Sequence, residues 1–380
     1  VAVFLFLLLV PLGLSGVVLA WPEQINAPYR ASPAAPASER AGLAPSAYFA
    51  AARAALPPGA RVQALHLPER PGEAVAVSAS VGGSGPGGGR TVWLAPADGR
   101  LLKVAPAVSP LFSWSHDFHG AFMIRGLGRQ LVGWAGVAML LLSLSGIWLW
   151  WPRGPSLLRG FRWRRTPDTL LNLHHLVGFW LSIPLAALSL TGMFIAFPPL
   201  ASAVLGASPP RPPQADAPRA QSDEAAAVGR AAGGTHGPHG RGDHRAGGGE
   251  AQLTAEQAAA AAIAAHPEAP RLIAVTVPGA ARGPAAAQHA WRIELGGAAH
   301  PVAVLVDDRS AAVSAAPARR RPGGALGLNR EIHEGGGSLI WKLIVSLAGV
   351  APAVLALTGL ITWLKAQARK ARLQRAAQPA

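Results

Sequence analysis

Leu14-Ser15-Gly16, Leu144-Ser145-Gly146, Leu190-Thr191-Gly192 and Leu357-Thr358-Gly359 decide how this chain is read. Each phrase closes a long apolar stretch and is soon followed by Trp or Phe. Three of the stretches then stop at a proline: Pro22, Pro152 and Pro198. Such a fourfold echo, in segments otherwise built of Leu, Val and Ala, marks a repeated membrane unit. A bilayer core takes about 20 apolar residues per helix. Stretches 1–21, 131–151, 173–197 and 339–364 all reach that length. The first has no basic n-region and no small-residue cleavage site, so it reads as a helix and not as a signal peptide.

Composition agrees. Half of the 380 residues are hydrophobic and only 14% are charged, which suits a membrane protein with sizeable soluble parts. There is no cysteine, so disulfides, thiolate metal sites and cysteine nucleophiles are all excluded. The net charge of +15 is not a nucleic-acid footprint, because it is concentrated beside membrane helices. Arg153, Arg159, Arg162, Arg164 and Arg165 lie between the second and third spans. Lys365, Arg369, Lys370, Arg372 and Arg375 follow the fourth. The positive-inside rule puts both clusters in the cytoplasm and both long loops outside.

The expected order is span 1–21, soluble domain 42–105, span 128–152, basic loop 153–170, span 171–198, linker 207–250, soluble domain 252–316, span 337–365 and basic tail 366–380. Each soluble domain reads as a helix followed by strands. In the first, 45–56 is helical and 62–67, 74–80, 91–94 and 101–104 are apolar or alternating runs. In the second, Thr254 and Gln257 form a capping-box pattern before a helix to 265. Runs at 272–277, 290–295, 302–306 and 312–314 follow. The fold class is thus membrane α-helical, with four transmembrane helices and two small α+β domains. The linker is rich in Gly, Pro and Ala and reads as disordered. Its His236, His239 and His244 could collect metal ions weakly. Gly82–Gly89 has no P-loop lysine and reads as a hairpin loop.

Histidines gather where the last three spans begin: His116 and His119, then His174 and His175, then His333. Alternating helix direction puts His119 and His333 on the outer side and His174 on the inner side. Along an unbroken helix His119 and His333 stand about 25–35 Å from the middles of their spans, although the intervening glycines interrupt that ruler. One imidazole from each of two neighbouring helices suits a b-type haem, since neutral imidazole is a good axial ligand. Gly133, Gly136, Gly178 and Gly349 would make room for it. The competing reading has these histidines meeting lipid headgroups or capping backbone. The Leu-Ser/Thr-Gly phrases read as helix packing, each hydroxyl bonded back to its own helix. Trp148, Trp150 and Trp151 read as an interfacial belt. No Asp or Glu lies within the spans, which argues against an ion carrier.

These residues resemble the PepSY-associated transmembrane proteins, often called iron-regulated membrane proteins. The likeness covers nearly the whole chain. It rests on His119 with Gly128-Arg129, on Leu173-His174 with Gly178, on Ile332-His333 with Gly335, and on the helix endings. The resemblance implies a bacterial inner-membrane oxidoreductase with one or two haem b groups and PepSY-like domains in the periplasm. Both ends of the chain would be cytoplasmic. It would reduce periplasmic ferric siderophores with electrons from a quinol or a redox protein, and so serve iron uptake. By the same likeness, His119 and His333 would ligate an outer haem, with His116 as the alternative outer ligand, and His174 an inner one. His175 points elsewhere on the same helix. Family members carry a further His at the inner start of the first helix, a position that precedes Val1. An alternative follows from the outer domains alone, namely a membrane-anchored module that binds a periplasmic partner or inhibits a protease.

Overall fold

The computed structural model describes residues 2–36, 41–82, 86–150, 166–205, 251–280, 289–297, 301–317, 324–336 and 338–376. Trp151, the Arg153–Arg165 cluster and the linker histidines His236, His239 and His244 lie outside the described residues. In chain order the helices are α1 (Ala2–Leu19), α2 (Pro22–Arg30), α3 (Pro45–Ala54), α4 (Pro110–Ala121), α5 (Gly128–Trp150), α6 (Thr169–Ala196), α7 (Pro198–Leu205), α8 (Ala255–Ala265), α9 (Gly324–Glu334) and α10 (Leu339–Ala376). The strands are β1 (Arg61–His66), β2 (Val75–Ser80), β3 (Gly89–Leu94), β4 (Leu101–Pro106), β5 (Arg271–Thr276), β6 (Ala290–Gly296), β7 (Val302–Asp307) and β8 (Val313–Ala315).

Among the described residues, α5, α6 and α10 are long and apolar enough to cross a membrane. The number becomes four when α1 and α2, bent by 59° at Trp21-Pro22, are taken as one broken span. The bend falls at Pro22, where the apolar run was expected to stop. Neighbouring spans are antiparallel. Gly13 of α1 crosses Gly349 of α10, while Trp21 Nε1 donates to Ser346 Oγ at 2.9 Å. A Cβ at Gly133 would meet the Phe197 ring at 2.5 Å, and one at Gly146 would meet Ser182 Oγ at 3.4 Å. So α1 and α6 finish at the end where α5 and α10 begin. Gly133 and Gly349 are used by helix crossings of this kind. The outer faces are apolar: Trp134 is 65% exposed and Trp148 73%. Beyond position 365, where a tail was expected, α10 stays helical to Ala376 because its Ala, Lys, Arg and Gln are good helix formers.

Four short helices were not foreseen, α2, α4, α7 and α9, and two of them, α4 and α9, carry the outer histidines. Helix α4 starts at Ser109, whose Oγ accepts from Phe112 N, with Pro110 at the first position. It stops at Phe122, which is left-handed at φ 45°. Helix α9 stops at Gly335 (φ 75°), and Gly336 N donates back to Glu331 O at 2.9 Å. These stops break the axis. His119 and His333 therefore do not stand on extensions of α5 and α10. Helix α4 packs on α1, and α9 packs on α6.

Strands β1–β4 form an antiparallel meander in the order β4-β3-β2-β1. Leu65, Val75, Val77, Val92 and Leu94 are fully buried, each worth about 1.5–3 kcal/mol. Tyr48 of α3 is buried too, and its hydroxyl donates to Pro96 O. The loop between β2 and β3 closes a hairpin, as read from its glycines. Strands β5–β8 form a second antiparallel meander, with α8 packed on β5, β6 and β7. Thr254 caps α8 in a full capping box with Gln257. Asp308 accepts from Gln252 N (2.8 Å), Leu253 N (3.1 Å) and Trp291 Nε1 (2.9 Å), which ties the entry of α8 to the sheet.

Candidate functional site

The Ser/Thr-Gly phrases are where the histidines sit. His119 Nδ1 lies 3.0 Å from Leu12 O and 3.2 Å from Ser15 Oγ. His333 Nδ1 lies 3.0 Å from Leu188 O and 3.1 Å from Thr191 Oγ1. His174 Nδ1 lies 2.8 Å from Thr358 Oγ1. The rule is the same each time: an imidazole from one helix is held by the hydroxyl of a phrase on another. For the two outer histidines, the carbonyl three residues before that hydroxyl shares the bond.

Elimination fixes the tautomers. A carbonyl oxygen only accepts, so Nδ1 of His119 and of His333 must be the protonated nitrogen. Thr358 Oγ1 donates to Val354 O at 2.7 Å, so its oxygen is left to accept from His174. In each ring Nε2 then carries the lone pair. Among the described residues no hydrogen bond occupies Nε2 of His119, His333 or His174.

The glycines set the depth of each ring. A Cβ on Gly192 would stand 2.7 Å from His333 Cε1, one on Gly16 3.0 Å from His119 Cε1, and one on Gly359 3.4 Å from His174 Cε1. The approach at Gly192 is closer than a side chain tolerates, and the one at Gly16 is tight. The phrase was expected to serve packing alone. Its hydroxyls do bond back to their own helices, Ser15 to Leu12 O at 2.9 Å among them. Its second use as an imidazole receptor was missed. No local signal announced it, because the group that shares the bond at Leu12 and Leu188 is a backbone carbonyl, which any residue supplies.

His119 and His333 come together, their ring centres 6.0 Å apart and their planes 48° apart. Burial, and then the neighbouring His333, push His119 down to about 4; burial lowers His333 as well. Both are therefore neutral at physiological pH, the form that ligates metals. His116 is exposed and turned to Asp117 at 3.4 Å, so it does not join the pair. His174 is at the other end of the bundle. Seventeen residues separate it from Thr191 on α6, about 25 Å along the helix. His175 stands edge-on to His174, ring centres 6.2 Å apart, and cannot oppose it across a shared metal.

His119 and His333 are therefore two neutral imidazoles, from α4 and α9, that could both reach one group bound between them. Among the described residues no three His, Cys, Asp or Glu gather to hold a bare ion. Two donors alone suit a metal that brings its other ligands in a macrocycle, and haem is that case. The residues fit the group.

A family model described as the PepSY-associated TM region matches residues 1–365. The chain belongs to that family. As a member of the PepSY-associated TM family it is a multi-pass membrane protein; among the described residues three to four helices are long and apolar enough to cross a membrane, and the strands pair antiparallel. Comparison with curated proteins gives no match.

Proposed function

We propose that this PepSY-associated protein is a haem b oxidoreductase of the bacterial inner membrane. It passes single electrons outward to ferric siderophores and releases iron(II). The observation that carries this reading is the pair His119 and His333, ring centres 6.0 Å apart, both with Nδ1 engaged and, among the described residues, no hydrogen bond at Nε2. A haem held between them would supply one-electron transfer between iron(II) and iron(III). With an imidazole from each of His119 and His333, such a haem would serve electron transfer over oxygen binding. His174 would hold a second haem at the opposite end of the bundle. The span of about 25 Å between the two positions is close to the thickness of a bilayer core.

The arginine and lysine clusters orient the protein with His174 towards the cytoplasm and His119 and His333 towards the periplasm. Electrons come from a quinol, which gives up two electrons and two protons, or from a redox protein. Each electron turns one siderophore-bound iron(III) into iron(II), which hard oxygen donors hold far less tightly. The alternative, a PepSY module merely anchored by the helices, gives the matched imidazole pair no use.

Proteoliposomes test the reading. A quinol should support reduction of an external ferric siderophore, followed by trapping of iron(II) with a chromogenic chelator. His119→Ala and His333→Ala should abolish it. Reduction at the full rate by these variants would overturn the proposal.

A further inference from the structure

We propose that the extended phrase Leu-x-Leu-Ser/Thr-Gly is a histidine-orienting unit, and that Ser15, Thr191 and Thr358 are positioning residues for the ligands on neighbouring helices. Its purpose rests on the haem reading above; its geometry does not. Three copies hold three imidazoles in one way: hydroxyl to Nδ1, with a carbonyl of the same turn beside it for the two outer rings, and glycine beneath the ring. Hydrogen bonds to Nδ1–H fix the ring plane and the tautomer. They also raise the donor strength of Nε2 towards a metal. The hydroxyl proton is committed to its own helix, so its oxygen faces the imidazole as an acceptor. Asn329, buried on α9, donates to Thr191 O at 3.2 Å and holds α9 against the same turn that receives His333.

The fourth copy, Leu142-Ser143-Leu144-Ser145-Gly146, has the same internal bond, Ser145 Oγ to Leu142 O at 2.9 Å. It lies at the His174 end of the bundle, where Gly146 faces Ser182 of α6. Its glycine faces a serine hydroxyl and not an imidazole, so this copy packs α5 against α6.

Two measurements separate this proposal from the haem reading. In apoprotein labelled with 15N-histidine in lipid nanodiscs, His119 and His333 should show protonated Nδ1 and bare Nε2. Thr191→Val should shift the His333 signals, and Thr191→Ser should restore them. Haem titration should then show about 10–100-fold weaker binding for Thr191→Val and Gly192→Leu. The low-spin EPR signal, which reads the angle between axial rings, should change as well. His333→Ala abolishing haem while Thr191→Val and Gly192→Leu change neither affinity nor EPR would overturn the positioning role and leave the haem reading intact. Wild type taking up no haem would sink the haem reading, and the 15N spectra would still decide the orientation.

Discussion

The two ends of the helix bundle use one device to different extents. At the end where α1 and α6 finish, two phrases each hold a histidine, and the ring centres lie 6.0 Å apart. At the opposite end Thr358-Gly359 holds His174, while Ser145-Gly146 faces Ser182. The histidines also arrive differently. His174 lies on a spanning helix, one turn inside its start. His119 and His333 ride on short helices that fold back onto α1 and α6. A residue on a span is placed by the span itself. A residue at the other end needs its own capped helix to reach a phrase five residues short of the end of α6.

The largest effect expected of any substitution is at the paired end. His119→Ala or His333→Ala should remove the haem held there, and the double variant should be no worse than either single one, as heme-to-protein ratios would show. His174→Ala should spare that haem and remove only a spectrally separate signal. Loss of both signals would mean that the two ends are not independent.

The glycines sharpen the comparison further. Gly192→Ala should weaken haem binding most, Gly16→Ala less and Gly359→Ala least, because the available space grows from 2.7 to 3.0 to 3.4 Å. An inverted order in haem titration would break the rule. His116→Ala should leave haem content unchanged, since that side chain is exposed and paired with Asp117.

The soluble part gives a smaller and separate effect. Asp308→Ala strands three donors and should lower the stability of the β5–β8 domain by roughly 2–4 kcal/mol in urea unfolding. Burial alone would raise the Asp308 pKa, but bonds from Gln252, Leu253 and Trp291 outweigh it and hold it below the usual range. The sign follows: this stabilisation is complete above about pH 4 and fades as pH falls through the depressed value. Asp308→Asn should flatten that acid dependence.

Much of this was legible in the sequence because its signals are local. Twenty apolar residues announce a span, and Thr254 with Gln257 announces the start of α8. Alternation at 75–80 and 290–295 announces strands. The histidine clusters were legible as clusters. Their meeting was not, because α4 and α9 depend on a left-handed Phe122 and a Schellman turn at Gly335 that redirect the chain. Periodicity cannot tell such a stop from a short interruption. The receptor role of the Ser/Thr-Gly phrase was hidden for another reason. A hydroxyl bonded to its own helix looks satisfied in the sequence, while its oxygen can still accept a bond from a helix more than a hundred residues away.

If His119 and His333 clasp one haem, a pyridine haemochrome assay with low-spin EPR on purified protein should give a b-type spectrum and a bis-imidazole signal. That signal should disappear in His119→Ala and in His333→Ala but persist in His116→Ala. A b-type haem retained with an unchanged bis-imidazole signal in both His119→Ala and His333→Ala would contradict that ligation.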